Sequence, residues 1–213
     1  MRSKLIGITG GIASGKSTFS ELIQQEGYTV IHSDQIGHEV LDYPEIKNKL
    51  ISVFGKVIIK DHHIDRNVLR KIIFNDETKR NLLNSIVHPE ILKVMDEMVD
   101  HSSIEYLFFE IPLLFESGMK DCFDMIVLIH VNHNIQIDRL INRNSFDMDE
   151  AEKIIRSQMP DELKIPLADL TVDNSYSESV LQNNCWNLIK YLPRITYKHI
   201  TRFSEINGRD EKI

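Results

Sequence analysis

The sequence is short of cysteine. Its 213 residues include only Cys122 and Cys185. They are too far apart for a C-x-x-C redox or metal motif and read as reduced core thiols of a cytosolic protein. Excess positive charge is also missing. The net charge is −7 and no basic patch dominates, which argues against an electrostatic nucleic-acid footprint. No apolar run approaches the length of a membrane span. The N-terminus carries Arg2 and Lys4 and then enters a strand-like run, without the apolar region of a signal peptide. The partners to expect are therefore small molecules, not nucleic acid or membrane, with a cytoplasmic monomer as the favoured form. The length allows one domain with insertions, and an apolar fraction of 42% is enough for a sizeable core.

Glycine is sparse as well, yet three of the nine fall in Gly10-Gly11-Ile12-Ala13-Ser14-Gly15-Lys16-Ser17-Thr18. This run fits G-x-x-x-x-G-K-[ST], the phosphate-binding P-loop. Glycine lets backbone N–H groups approach a phosphate closely. Lys16 suits the β- and γ-phosphates, and the Ser17 hydroxyl suits Mg²⁺. Lys4–Thr9 reads as a short buried strand before the loop. Phe19, Leu22 and Ile23 recur at helical spacing after it. Strand, glycine loop and helix N-terminus together make an anion site. The motif implies a bound nucleoside triphosphate and leaves open what is done with it.

Four more strands are expected, over 29–32, 105–111, 124–131 and 168–173. The near-continuous apolar runs at 105–111 and 124–131 suit parallel strands covered on both faces. The expected fold is α/β: a P-loop three-layer architecture around a five-stranded parallel sheet. Asp34 follows the second strand, where α/β sheets bind ligands. It fits a general base on a substrate hydroxyl, and it fits a helix N-cap equally well. Glu110 ends the third strand, in reach of a Mg²⁺ site, and a capping or core-edge role suits it at least as well. Residues 35–103 read as mostly helical, with one helix ending at His88 and another starting at Pro89. They are too many for a simple crossover and suit an inserted acceptor-binding subdomain, although plain helical padding fits too. Arg66, Arg70 and His88 stand out there, and each taken alone would also suit a solvated surface.

Arg139, Arg143, Lys153 and Arg156 gather positive charge within residues 133–165. That segment reads as a helical lid over polyphosphate, since a kinase must exclude water from its donor. Surface i,i+4 pairing is the plainer reading of the same charges. Asp147 and Glu150 have capping-box spacing. Asn174 follows the last strand and can border a nucleotide base. Ser177 suits the cap of a final helix that stops at Pro193. The tail over 194–213 reads as polar and partly disordered, leaving a core of 1–34 and 104–193.

The ordered landmarks resemble the dephospho-coenzyme A kinase family over about residues 1–190. They are the P-loop from Thr9, Asp34-Gln35-Ile36, Ile64-Asp65-Arg66, His88-Pro89-Glu90-Ile91, Pro112-Leu113-Leu114-Phe115-Glu116, Arg139-Leu140-Ile141-Asn142-Arg143, Gln158, Ala168-Asp169 and Asp173-Asn174. The resemblance implies ATP and Mg²⁺ as cofactors and transfer of the γ-phosphoryl of ATP to the ribose 3′-hydroxyl of dephospho-coenzyme A. It implies Asp34 as base and Lys16, Arg143 and Arg139 as charge-stabilising groups. It implies Gly10–Thr18 and Asn174 as the nucleotide site, Ser17 at the metal, and Asp34, Arg66, His88 and Leu114 around the acceptor. Three departures accompany it. His32 stands where the family usually has the first Asp of D-x-D. His38 stands where Arg is common, and Pro166-Leu167 replaces a basic stretch. Two other functions fit the P-loop: a kinase acting on a nucleoside or nucleoside monophosphate, and a nucleotide switch without transfer activity.

Overall fold

The computed structural model describes residues 2–74, 76–144 and 146–206, with the Asn144 side chain outside the described set. In chain order the elements are β1 (Lys4–Thr9), α1 (Lys16–Gln25), β2 (Thr29–His32), α2 (Ser33–Val40), α3 (Pro44–Phe54), β3 (Ile59–Lys60), β4 (His63–Ile64), α4 (Arg66–Ile73) and α5 (Glu77–Asp100). They continue as β5 (Tyr106–Glu110), β6 (Met125–His130), α6 (His133–Asn144), α7 (Met148–Arg156), α8 (Asp161–Lys164), β7 (Leu170–Asp173) and α9 (Glu178–Tyr191). Two compact units emerge: Ser33–Met98, and the rest of the described chain.

The larger unit is built on a parallel sheet in the order β2-β5-β1-β6-β7. The five expected strands all form, within a residue or two at each end. Alternation sorts their side chains between two faces. Ile6, Ile8, Phe108, Val127, Ile129 and Val172 share one core with Phe19 and Ile23 of α1 and with Leu181, Cys185 and Leu188 of α9. Leu5, Leu107 and Phe109, at the alternate positions, are equally buried. Phe109 belongs to an aromatic cluster, with ring centroids 6.0 Å from Phe123 and 5.3 Å from Phe203. Winding departs from β1 toward β2 and later toward β6. The carboxyl end of β1 is thus the switch point where such sheets bind ligands.

Phe203 corrects the expectation for the tail. Residues 194–206 pack on the core: Ile195 and Phe203 are buried, and Thr201 N–H donates to the Asp121 carbonyl at 2.9 Å. Residues 207–213 lie outside the described residues. The anchor is Asp124, whose side chain is fully buried. Its carboxylate accepts from Arg2 Nη1 and from Arg2 Nη2 at 2.8 Å, and from the backbone N–H groups of Leu5 at 2.9 Å and Lys198 at 2.7 Å. Burial alone would push its pKa up. The Arg2 guanidinium and the two N–H groups outweigh that and hold it below the usual carboxylate range. Cys185 is a core thiol, and burial pushes it up to about 11.

In the smaller unit, α4 starts at Asp65, which accepts from Asn67 N–H at 3.0 Å and Val68 N–H at 3.2 Å, an N-cap. The expected break at His88-Pro89 is absent, because α5 runs through Pro89. Proline removes one helical hydrogen bond. The helix continues because Val87 on one side and Leu92 and Met95 on the other are all buried, and tertiary packing outweighs local preference. Residues 59–64 form a hairpin that the helical reading missed. Asp61 and His62 make its turn at φ 49° and 68°, the left-handed pair of a type I′ turn without its usual glycine.

Candidate active site

The loop from Gly10 to Thr18 joins β1 to α1 as the motif requires. Gly15 precedes the helix at φ 93°. A Cβ there would lie 2.1 Å from Asn174 Nδ2, so conformation and space both demand glycine. Asn174 is buried and donates from Nδ2 to the Ser14 carbonyl at 2.8 Å. Lys16 Nζ donates to the carbonyls of Gly10 at 2.8 Å and Gly11 at 2.9 Å. The ammonium is therefore held at the mouth of the loop.

Ser17 and Glu110 meet at the carboxyl end of the sheet. The Ser17 hydroxyl donates to Glu110 Oε1 at 3.0 Å. His32 stands opposite Glu110 in the β2–β5 register. Its Nδ1 lies 3.0 Å from Oε2, out of hydrogen-bonding alignment, so Oε2 is buried without a hydrogen-bond partner. A serine hydroxyl and a carboxylate with a spare buried oxygen are hard donors, and they fit Mg²⁺. Glu110 thus settles beside Ser17 rather than capping an element. Its signal in the sequence is its place at the end of the strand beside β1.

The segment over 133–165 that reads as a lid consists of α6, α7 and α8. The Asp147–Glu150 capping box forms, with Glu150 N–H on Asp147 Oδ1 at 2.8 Å and Asp147 N–H on Glu150 Oε2 at 3.1 Å. Arg139 bonds the backbone of the loop and of the segment after β7. Nη1 donates to the Ala13 carbonyl at 3.2 Å and the Ser14 carbonyl at 3.4 Å, and Nη2 to the Asn174 carbonyl at 2.9 Å. It clamps the loop. Arg156 pairs with Glu152 at i,i+4, 3.2 Å apart. Arg143 is exposed, and no hydrogen bond or ion pair holds it among the described residues.

Three polar groups lie beside the loop, of which Gln136 and Asp161 escaped the sequence reading and Gln158 is there only a family landmark without a role. Gln136 and Gln158 bond the backbone of Ile12. Asp161 lies near Gly11, where its Oδ1 would be 3.6 Å from a Cβ. Burial pushes the Asp161 carboxyl up, against the pull of Lys164, His130 and Lys16. Side chains from residues this far apart in the chain carry no local signature, apart from Gln158 as a family landmark.

Asp34, Arg66 and His88 lie in the smaller unit. Asp34 is exposed in the first turn of α2. Among the described residues its carboxylate caps no N–H, so it is free to act. Arg66 is exposed and lines a cavity of about 630 Å³ with Lys60 and Arg70, two histidines, His38 and His63, and two carboxylates, Asp61 and Asp65. His88 is half-buried within α5. Leu114 requires a correction. Its side chain is fully buried, and a Cβ on Gly7 would meet its Cδ1 at 2.7 Å. It packs the core and presents no side-chain surface to an acceptor.

The sequence profile of the dephospho-CoA kinase family matches residues 4–179. A dephospho-CoA kinase of Carboxydothermus hydrogenoformans is 44% identical over 179 residues, covering 81% of this chain and 86% of that protein. One from Fusobacterium nucleatum is 36% identical, covering 82% and 91%. The solved structure of dephospho-CoA kinase from Campylobacter jejuni matches with a TM-score of 0.68 at 28% identity, over 89% of this chain and 97% of that one. A shikimate kinase from Acinetobacter baumannii, at 13% identity and TM-score 0.51, is similar in fold alone.

Proposed function

The chain belongs to the dephospho-CoA kinase family, and from that premise we propose how its residues divide the reaction. The enzyme transfers the γ-phosphoryl of ATP to the ribose 3′-hydroxyl of dephospho-coenzyme A, giving coenzyme A and ADP, the last step of coenzyme A synthesis. Such a transfer passes through a loose transition state, so catalysis is positioning and charge stabilisation. The observation that carries our assignment is Lys16 and Ser17 at the switch point, with Glu110 on the Ser17 hydroxyl.

The backbone N–H groups of the Gly10–Thr18 loop other than that of Ile12, which Gln158 takes, and the Lys16 ammonium hold the phosphates. Arg139 and Asn174 keep the loop in shape from behind. Ser17 and Glu110 would hold Mg²⁺; when bound, the ion neutralises charge on the transferred phosphoryl. Asp34 orients the acceptor hydroxyl and takes its proton. Its exposed, uncapped carboxylate supports that role. Arg143, without a hydrogen bond or ion pair among the described residues, closes on the phosphoryl group. The Arg66, Arg70 and Lys60 cations on one cavity of residues 33–98 suit the acidic phosphates of the acceptor, with His88 in the same unit. The reaction runs in the cytoplasm, where thiols such as Cys122 and Cys185 stay reduced, on a monomer with neither nucleic acid nor membrane as partner. Among the described residues no helix is long and apolar enough to cross a membrane.

The test is ADP release from ATP and Mg²⁺ with dephospho-coenzyme A, AMP or adenosine as acceptor. Stimulation by dephospho-coenzyme A alone is expected. Stimulation by AMP or adenosine instead would overturn the acceptor assignment and keep the P-loop roles.

A further inference from the structure

Ile12, inside the phosphate-binding loop, has both backbone groups taken by side chains from the lid segment. Gln136 Nε2, in the first turn of α6, donates to the Ile12 carbonyl at 2.7 Å. The Ile12 N–H donates to Gln158 Oε1, just beyond α7, at 2.8 Å. All of α7 lies between these two roots. Gly11 makes room for them: a Cβ there would sit 2.9 Å from Gln136 Nε2 and 3.7 Å from Gln158 Oε1. A side chain at this position would displace the Gln136 amide, while Gln158 would stay at ordinary contact distance. Gln136 is itself buried.

Gln158 is braced from behind. The next residue, Met159, donates its N–H to Glu116 Oε1 at 3.1 Å. Lys164 Nζ, fully buried, lies 3.1 Å from the same oxygen. A buried ion pair thus pins the chain one residue from the clamp. Breaking such a pair leaves an uncompensated charge, so the brace is stiff.

We propose that Gln136 and Gln158 are positioning residues that tie the phosphate-binding loop to both roots of the lid through Ile12. The loop's donors are backbone N–H groups that must converge on one anion, and a glycine-rich loop loses much freedom in doing so. Fixing it beforehand lowers that cost on binding. Because both ties end on one residue, lid anchorage and nucleotide affinity are coupled, and the coupling is reciprocal. This rests on the reading of Gly10–Thr18 as the nucleotide site and not on the identity of the acceptor.

The test uses Gln136→Met and Gln158→Met, which keep length and lose the polar group, in the full chain. Three quantities are read: ATP affinity by calorimetry without acceptor, hydrogen-exchange protection of the Ile12 amide, and the thermal midpoint. Each variant is expected to weaken ATP binding about tenfold. Gln158→Met removes Ile12 protection, and KM for dephospho-coenzyme A stays unchanged. The double variant is expected to lose less than the product of the two single losses, since both act through one residue. Unchanged ATP affinity, with only a lowered thermal midpoint, would overturn the proposal and make the clamp structural. If Gln158→Met does not fold, Gln136→Met, which leaves the Glu116 brace intact, decides alone. The binding assay contains no acceptor, so its failure would leave the transfer reaction standing, and failed ADP release would leave the clamp standing.

Discussion

The Ser17 hydroxyl and Glu110 Oε1 share a 3.0 Å hydrogen bond between the first helical turn after the phosphate loop and the end of β5. It places the Glu110 carboxylate on the serine that we propose as a Mg²⁺ ligand, beside which Glu110 would hold the same ion. Glu110→Gln keeps the shape and removes the charge. The expected result is Mg²⁺ affinity about 10–100-fold weaker, seen as a higher Mg²⁺ concentration for half-maximal turnover. Direct Mn²⁺ binding in the presence of ADP provides a second reading. An unchanged Mg²⁺ requirement would remove Glu110 from the metal site.

Asp34→Asn isolates the proton transfer. A positioned base contributes about 10²–10⁴-fold, so kcat should fall by that much. ATP affinity, set by the P-loop, should move less than about threefold. Turnover close to wild type would show that the carboxylate serves α2 rather than the acceptor.

The two lid arginines should separate. Arg143 is exposed and unpaired among the described residues, whereas Arg139 spends its guanidinium on the carbonyls of Ala13, Ser14 and Asn174. Arg143→Ala is expected to lower kcat by about 10³-fold, as for an arginine that meets charge only in the transition state. Arg139→Ala is expected to weaken ATP binding and lower the thermal midpoint first. A reversed pattern in kcat and Kd would exchange the two roles.

Asp124 joins the start of β1, the start of β6 and the tail. Its folded pKa lies below the ordinary carboxylate value. The stability it supplies is therefore complete above the unfolded pKa, near about 3.9, and is lost as pH falls through the lower folded value. Asp124→Asn leaves Arg2 without its anion and should cost about 3 kcal/mol at neutral pH. The gap between the thermal midpoints of the two proteins should be constant from pH 7 to about 4 and begin to narrow as pH falls further toward 3. Parallel curves would assign the loss to packing instead of charge.

Much of the central fold is legible because it is local. Apolar runs announce β5 and β6, the glycine pattern announces the loop, and Asp147 with Glu150 announces α7. Asp34 and the lid cations can be found in the sequence because they sit at fixed offsets from these elements. What stayed hidden depends on tertiary packing. Pro89 spells a helix end, yet buried Val87 and Leu92 carry α5 through it. Asp61-His62 turns a hairpin with no glycine to mark it. Ser177 takes the N-cap place of α9, but its hydroxyl pairs with Ser179 Oγ at 2.8 Å rather than with a backbone N–H. Leu114 belongs to a family landmark, and only the structure tells that its side chain fills the space over Gly7. The two glutamines on Ile12 come from opposite ends of the lid segment, a pairing that no spacing rule contains.

Phe203 lies well past residue 179, where the family match stops, yet its ring rests against Phe109 and Phe123, at centroid distances of 5.3 and 5.4 Å. The last helix, with Leu181, Cys185 and Leu188 on the sheet, also lies beyond that limit except for its first residues. Shared sequence and self-sufficient fold therefore end at different places in this chain. A fragment cut to the shared part would keep the loop and residues 133–165 but uncover the part of the sheet face that α9 shares with α1 and leave a ring-sized hole beside β5. Such a fragment should aggregate rather than report on catalysis, and its inactivity would say nothing about the residues that perform the transfer.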